Sequence, residues 1–338
     1  MRLGVTVRPT QSIVDAAETA RLIEDLGYQS AWIADHYFHR EAAAALALMM
    51  TATNGLTLGT AVMSPLLRHP TLLASLAATL REIGPDRFIL GLGVGGYEFA
   101  SELGIASPRP LRITEEATAI VRELTAGRAE VSGDTFSAKG SQLRWAAADG
   151  PVYLAARGPK MLQLAGRIAD GVITHGISAA HIDFVRDRVA AGAAQAAAGI
   201  ADGTSDPGSS GRSISLALML DVEVDGDETR AWAGLRPRCL TMAAGAYADE
   251  LIPVYGLDPE QVGLARTALR SGDRAAAAAL VTDDMAKAFG LAGSAGRIAD
   301  GLAELEQRGV DEVIISVGGS DAAGYRTQLT DLAKEIVR

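Results

Sequence analysis

The segment VYLAARGPKMLQLAGRIADGVITHG, residues 152–176, places one amphipathic stretch between two short apolar runs. Residues 152–155 and 171–174 are predicted strands, and residues 160–169 carry apolar side chains at helical spacing. Gly158 opens the turn before the helix, and Pro159 suits the first helical position. A strand, a helix and a second strand in so short a stretch predict a parallel β-α-β unit.

The same alternation of short strands and longer helices runs through most of the chain. Eight apolar runs are predicted to be strands: residues 3–7, 31–34, 56–62, 88–94, 152–155, 171–174, 214–224 and 312–317. Alternation alone does not separate an open doubly wound sheet from a closed barrel, but eight strands separated by helices fit a barrel better. The predicted fold class is therefore α/β, a (β/α)8 TIM barrel, with residues 1–338 as one domain.

Three segments interrupt this rhythm. Residues 130–145 contain turn signals at Gly133-Asp134 and Lys139-Gly140, which predict a hairpin inserted before the fifth strand. Residues 201–212 are rich in Gly, Ser and Asp and predict a loop. Residues 229–291 are helical in pattern for longer than one crossover helix requires. They predict an extra helical segment after the seventh strand, beside the barrel mouth.

Composition excludes several classes of function. A formal net charge of −10 argues against nucleic acid or a membrane surface as partner, because both require basic patches. No stretch approaches the ~20 apolar residues of a membrane helix, and the first residues do not resemble a signal peptide. We therefore expect a cytoplasmic protein. The single Cys239 excludes an internal disulfide and a cysteine-cluster metal site, and predicts an inert, buried or semi-buried thiol. The histidines form no HExxH motif and no GxSxG elbow is present, so metal hydrolysis and serine acyl transfer lack support.

Chemistry-bearing residues follow several predicted strands, at the end of a barrel where active sites form. The second strand ends in Asp35-His36, an acid beside an imidazole. Such a pair can bind a ligand or transfer a proton, and it is equally consistent with a capping Asp and a surface His. His175 follows the sixth strand at the same rim. A single histidine at such a position is more often structural than catalytic.

Two further strand ends suit an anionic or flat ligand. After the fifth strand, Arg157 and Lys160 flank the start of a helix, whose free N–H groups attract anions. A capped helix start with solvated basic residues would look the same in sequence. After the fourth strand, GLGVGG at 91–96 permits close approach of a ligand to the backbone, or serves tight packing. Its glycine spacing is wrong for a dinucleotide fingerprint.

Four stretches together resemble a known family: WIADHY at 32–37, LGTAVMSPLLRHPTLLASLAATL at 58–80, RFILGLGVGG at 87–96 and the 152–173 segment. They are similar to luciferase-like proteins, especially the coenzyme F420-dependent oxidoreductase branch that includes the methylenetetrahydromethanopterin reductases. The resemblance spans nearly the whole chain in the same order. It implies a deazaflavin cofactor, F420, in the barrel mouth, with its phosphate on the loop after the fifth strand.

The resemblance also implies roles for individual residues. Asp35 and His36 would be the catalytic pair near the reactive ring. A non-proline cis peptide would join Ala61 to Val62 and form a bulge that backs the ring. The full set of candidate cofactor-binding residues is Ala61, Val62, Met63, Ser64, Gly95, Gly96, Tyr97, Glu98, Ala156, Arg157, Gly158, Pro159, Lys160, Met161 and His175.

One position departs from the family pattern, because Gly96 stands where deazaflavin-dependent members usually have an acid. Glu98, two residues later, is a candidate substitute, and otherwise the acid is absent. We expect an F420-dependent oxidoreductase that transfers a hydride between deazaflavin C5 and a small organic substrate. The alternatives are an FMN-dependent monooxygenase and a cofactor-free accessory barrel. We also expect a homodimer, to which an Ala/Leu-rich helix such as 71–83 is suited.

Overall fold

A computed structural model describes residues 1–8, 10–36, 38–95, 103–105, 109–145, 148–201, 213–245, 247, 249–319 and 321–337. Its strands are β1 (Arg2–Val7), β2 (Ser30–Ile33), β3 (Thr57–Thr60), β4 (Phe88–Leu92), β5 (Arg128–Ser132), β6 (Ser137–Gln142), β7 (Val152–Ala155), β8 (Gly171–His175), β9 (Ser215–Val224), β10 (Gly290–Gly293) and β11 (Glu312–Val317).

The helices within the same ranges are α1 (Ile13–Asp25), α2 (Ala42–Ala52), α3 (Pro70–Ile83), α4 (Pro110–Thr125), α5 (Pro159–Ile168), α6 (Ala179–Ala201), α7 (Glu228–Ala244), α8 (Leu251–Tyr255), α9 (Pro259–Arg270), α10 (Arg274–Ala279), α11 (Asp283–Lys287), α12 (Ala295–Gln307) and α13 (Ala322–Ile336). No helix in the described part of the chain is long and apolar enough to cross a membrane.

Eight parallel strands close into a barrel in the order β1, β2, β3, β4, β7, β8, β9 and β11. The long strand β9 closes it, because its first half pairs with β8 and its middle pairs with β11. Helices of the intervening crossovers surround the strands. The predicted (β/α)8 barrel is therefore confirmed, and so is the hairpin β5–β6 before the fifth barrel strand.

Three sequence predictions differ from the structure in detail. The third strand ends at Thr60 rather than at residue 62, because the backbone leaves the sheet at a bulge. The segment 229–291 is not helical throughout, since its end belongs to β10, which pairs with the last residues of β9. The Lys139-Gly140 signal marks a bulge inside β6 rather than a turn. Gly140 has φ +68° there and is skipped in the register between the paired residues Lys139 and Ser141.

The barrel interior is filled by side chains from alternate strand positions: Trp32, Ile89, Tyr153, Ile173, Ala217 and Ile314. The Trp32 ring lies against the backbone of β3, where a Cβ on Gly59 would overlap the ring. A second apolar layer packs the outer strand faces against the helices. The helical segment has its own cluster, which includes Cys239. That thiol is fully buried, and burial raises its pKa, which disfavours the reactive thiolate.

A buried carboxylate on the helix before the inserted hairpin binds the turn of that hairpin. Glu116 on α4 accepts hydrogen bonds from the backbone N–H groups of Asp134, Thr135 and Phe136 at 2.8–3.0 Å. Burial alone would raise the pKa of Glu116, but these three donors and the Arg112 guanidinium outweigh it and lower the pKa. The ionised form is therefore the one that stabilises the turn.

This lowered pKa predicts a pH dependence of stability. The contribution of Glu116 is fully present above its ordinary pKa of 4.5 and is lost as the pH falls through the lowered, folded-state pKa. Glu116→Gln should lower the free energy of unfolding by about 1–3 kcal/mol at neutral pH. The difference from wild type should shrink in acid, as measured by urea unfolding at several pH values. Glu115→Gln, at a half-exposed neighbour, should cost less than about 1 kcal/mol. A difference that stays constant with pH would contradict this role.

Candidate active site

A cavity of about 570 Å³ lies at the carboxyl ends of the barrel strands, under the helical segment. Barrel strand ends and the starts of α4 and α5 form one part of its wall, and residues around the end of α7 form the other. The lining residues are Ala61, Val62, Gly93, Val94, Gly95, Pro110, Leu111, Ala155, Ala156, Arg157, Gly158, Pro159, Lys160, Met161, Ile173, His175, Met219, Thr241, Met242, Gly245 and Glu250. The structure thus brings together most of the predicted cofactor-binding residues.

The start of α5 forms one end of this cavity. Gly158 is its N-cap in extended conformation, and no side chain among the described residues caps the first turn, although α1, α7, α12 and α13 all have such caps. A Cβ built on Gly158 meets no atom within 4 Å, so space is open beside the free N–H groups. The exposed Lys160 adds a positive charge. Uncapped N–H groups, open space and a lysine fit a phosphate group.

The chain crosses the cavity floor at a bulge between β3 and the helix that follows. The peptide bond between Ala61 and Val62 is cis, as predicted. Both side chains are half-buried and line the cavity. Met63 is fully buried in the core instead, and the Ser64 hydroxyl donates a hydrogen bond to the Val94 carbonyl at 3.2 Å. Neither of them lines the cavity, so the structure places them behind the predicted site.

The loop after β4 is described only up to Gly95, which lines the cavity. The predicted cofactor-binding residues Gly96, Tyr97 and Glu98 lie outside the described residues.

Asp35 and His36 follow β2 but do not line the cavity. The Asp35 carboxylate accepts hydrogen bonds from Arg68 Nε at 2.9 Å and Nη2 at 3.3 Å, and its backbone N–H donates to the Val62 carbonyl at 3.3 Å. Arg68 also pairs with Glu41. His36 is exposed on the loop. Partial desolvation and, to a smaller extent, the neighbouring His39 lower the pKa of its imidazole, and the negative charge of Asp35 offsets only part of this shift. A carboxylate held in an ion pair stabilises the loop beside the bulge, and a catalytic role for the pair stays a prediction.

His175, the last residue of β8, lines the cavity. Burial, reinforced by the charge of Arg157 and by His181, lowers its pKa to about 3. The imidazole is therefore neutral at physiological pH. A neutral imidazole presents one hydrogen-bond donor and one acceptor to a bound molecule.

The sequence model of the luciferase-like monooxygenase family matches residues 1–312. The chain belongs to this family. It is 30% identical, over the full length of both chains, to the 5,10-methylenetetrahydromethanopterin reductase of Methanolobus tindarius. The F420-dependent glucose-6-phosphate dehydrogenase of Microbacterium testaceum is 34% identical over 45% of this chain and 50% of its own. Among solved structures, the coenzyme F420-dependent tetrahydromethanopterin reductase of Methanopyrus kandleri superposes with a TM-score of 0.83 at 26% identity, covering 99% of this chain and 98% of the other.

Several residues that line the cavity of this luciferase-like chain could not be identified as site residues from the sequence. Met219 comes from the middle of β9, and Thr241, Met242 and Glu250 come from the helical segment. Sequence patterns place that segment beside the mouth but do not tell which of its residues face the cavity. Glu250 is the lining carboxylate among the described residues.

Proposed function

We propose that this protein is a coenzyme F420-dependent oxidoreductase that reduces a small organic substrate. The observation that carries the proposal is the cavity itself. The uncapped start of α5 with Lys160 and the Ala61–Val62 bulge line one space of about 570 Å³, large enough for a flat cofactor. The 30% identity over full length to a reductase, and the similarity to a structure named as coenzyme F420-dependent, support the same cofactor.

The residues present suggest how such a cofactor would be held. The N–H groups of α5 and Lys160 would bind the phosphate, and Ala61 and Val62 would back the ring. Bound deazaflavin supplies a two-electron hydride carrier. The apolar side chains of Met219 and Met242, which line the cavity, would help to exclude water, and neutral His175 could hold a substrate oxygen or nitrogen by a hydrogen bond. The main contribution of these residues to the rate would be to hold the hydride donor and the hydride acceptor at a reactive distance.

A screen with reduced F420 tests this function. The protein would be mixed anaerobically with reduced F420 and small carbonyl, imine or alkene compounds, and oxidation of the cofactor followed by its absorbance. We expect oxidation with at least one compound. The FMN-dependent monooxygenase alternative predicts activity only with reduced FMN and oxygen. The cofactor-free alternative predicts no binding of either cofactor.

We also propose a homodimer formed by the outward faces of α2 and α3, with a second copy of this chain as the partner. The two helices are neighbours. Helix α2 has no charged residue, and α3 has none before Arg81. Leu48 and Leu72 on these helices are 36% and 63% exposed. An uncharged face of this kind can meet its own copy without repulsion between like charges.

Leu72→Glu is expected to convert the dimer to a monomer, because it introduces a charge into the paired faces. Sedimentation velocity would measure the change. Leu264→Glu, at a 49% exposed position on α9, is the matched control and should leave the assembly unchanged. A wild-type protein that sediments as a monomer, or a Leu72→Glu variant that stays dimeric, would exclude this interface.

A further inference from the structure

Arg157 lies between the end of β7 and the uncapped start of α5, where a phosphate ligand is predicted, but its guanidinium points to the helical segment. Its Nε donates a hydrogen bond to the Tyr255 hydroxyl at 3.0 Å, and its Nη2 donates to the Met242 carbonyl at 3.0 Å. Its central carbon lies 4.5 Å from the centre of the Tyr247 ring and 5.3 Å from that of Tyr255. The guanidinium is thus enclosed by aromatic rings and bound to protein acceptors.

These contacts join the barrel to separate parts of the helical segment. Met242 belongs to the end of α7, Tyr255 ends α8, and Phe289 precedes β10 with its ring 4.8 Å from that of Tyr255. Tyr255 and Phe289 are fully or nearly fully buried. An arginine suits this place because a planar guanidinium donates from its edge while its faces stack on rings. Lysine lacks both properties.

Lys160, on the first turn of α5, differs from Arg157 in every one of these respects. It is exposed, and no ion pair is found for it among the described residues. Its charge remains available to an anion at the helix start. Of the two cations beside this turn, Arg157 is therefore bound to the helical segment, and Lys160 is available to a ligand.

We propose that Arg157 is a positioning residue that fixes the helical segment over the cofactor cavity, and that Lys160, rather than Arg157, binds the cofactor phosphate; this rests on the proposed function. Met242, whose carbonyl Arg157 holds, lines the cavity, and so does His175 at the adjoining strand end. Loss of the guanidinium leaves the Met242 carbonyl and the Tyr255 hydroxyl without this donor. The wall formed by α7 then moves relative to the barrel, which weakens contacts with the cofactor ring and the substrate rather than with the phosphate.

Binding of F420 and of the same deazaflavin without its phosphate arm separates the two roles. Lys160→Gln should weaken binding of F420 by about 10-fold and leave the phosphate-free form unchanged, because a charge-assisted contact is lost. Arg157→Gln should weaken both forms by the same factor. Arg157→Lys should not restore binding, although it keeps the charge. Loss confined to the phosphate-bearing form and rescued by Arg157→Lys would overturn the proposal.

Two further experiments test the contact of Arg157 with the helical segment independently of phosphate binding. Tyr247→Leu removes a stacked ring and should reproduce the binding pattern of Arg157→Gln. Limited proteolysis of the apoprotein should cleave the helical segment faster in Arg157→Gln, Arg157→Lys and Tyr247→Leu than in wild type or Lys160→Gln. Faster cleavage with unchanged affinity for both deazaflavins would make Arg157 merely structural and overturn the positioning role. If the wild-type protein binds neither deazaflavin, the proposed function is wrong. If the Arg157 variants are cleaved no faster than wild type, Arg157 does not fix the helical segment.

Discussion

Gly158→Asp is expected to reduce F420 affinity strongly while leaving the fold as stable as before or slightly more so. The extended backbone of Gly158 and the open space beside it permit an aspartate side chain. Its carboxylate would accept hydrogen bonds from the N–H groups of the first turn of α5, as caps normally do, and would stabilise the helix by roughly a few tenths of a kcal/mol relative to glycine. The same carboxylate would occupy the anion site and repel a phosphate.

Loss of these donors together with repulsion between like charges should cost about 2–3 kcal/mol of binding, a roughly 30- to 150-fold weaker affinity. Fluorescence titration and thermal unfolding of the same preparation measure both effects. Gly158→Ala is the matched control, since it fills the space without blocking the N–H groups, and its affinity should stay within about threefold of wild type. An Asp variant that binds F420 as tightly as wild type would show that α5 does not hold the phosphate.

Glu312→Ala is expected to cause a large loss of stability. Glu312 begins β11 and is fully buried at the amino-terminal end of the barrel. Its carboxylate accepts hydrogen bonds from the Ser30 hydroxyl at 2.5 Å and the Trp32 Nε1–H at 2.8 Å. It also forms an ion pair with Arg2, which begins β1. One side chain thus connects the first residues of neighbouring strands beneath the interior Trp32 ring.

Removing this carboxylate leaves the buried Trp32 N–H with the Ser30 hydroxyl, at 2.9 Å, as its remaining acceptor, and takes the counter-ion from Arg2. Because Arg2 is 39% exposed and stays solvated, the loss comes from the hydrogen bonds and packing of the buried Glu312 side chain, which are worth about 2–4 kcal/mol. Urea unfolding should show a loss of this size for Glu312→Ala and a smaller loss for Glu312→Gln, which keeps an acceptor. Glu18→Ala breaks the exposed pair with Arg326 and should cost less than about 1 kcal/mol. Equal effects at the two glutamates would contradict the role of Glu312.

Strand positions were predictable because each barrel strand is an apolar run with polar or glycine-rich flanks. The runs at 152–155 and 312–317 coincide with β7 and β11. β10 escaped prediction because GLAG is too short, and too rich in glycine, to show strand periodicity. The extra helical segment was visible in pattern, but the faces of its helices depend on how they pack against each other.

The candidate site was predictable where a local sequence determines the backbone, as in Gly158-Pro159 at the start of α5. The site was not predictable where a side chain pairs with a residue that is distant in the sequence. Asp35 pairs with Arg68, 33 residues away, and Arg157 reaches Tyr255, 98 residues away. A sequence shows that such residues are charged and near a strand end. Only the folded structure shows whether such a charged side chain is already paired with another group of the protein or is free to bind a ligand.

Titration of the apoprotein with F420 and, separately, with FMN is the most direct measurement of the central claim. Both cofactors carry a phosphate that α5 could hold, so the difference in affinity reports on the ring end of the cavity. We expect F420 to bind at least about tenfold more tightly than FMN, a difference of about 1.4 kcal/mol. The Gly158→Asp variant should bind F420 roughly 30- to 150-fold more weakly than wild type. Tight binding of FMN without binding of F420 would contradict the assignment and favour an FMN-dependent monooxygenase.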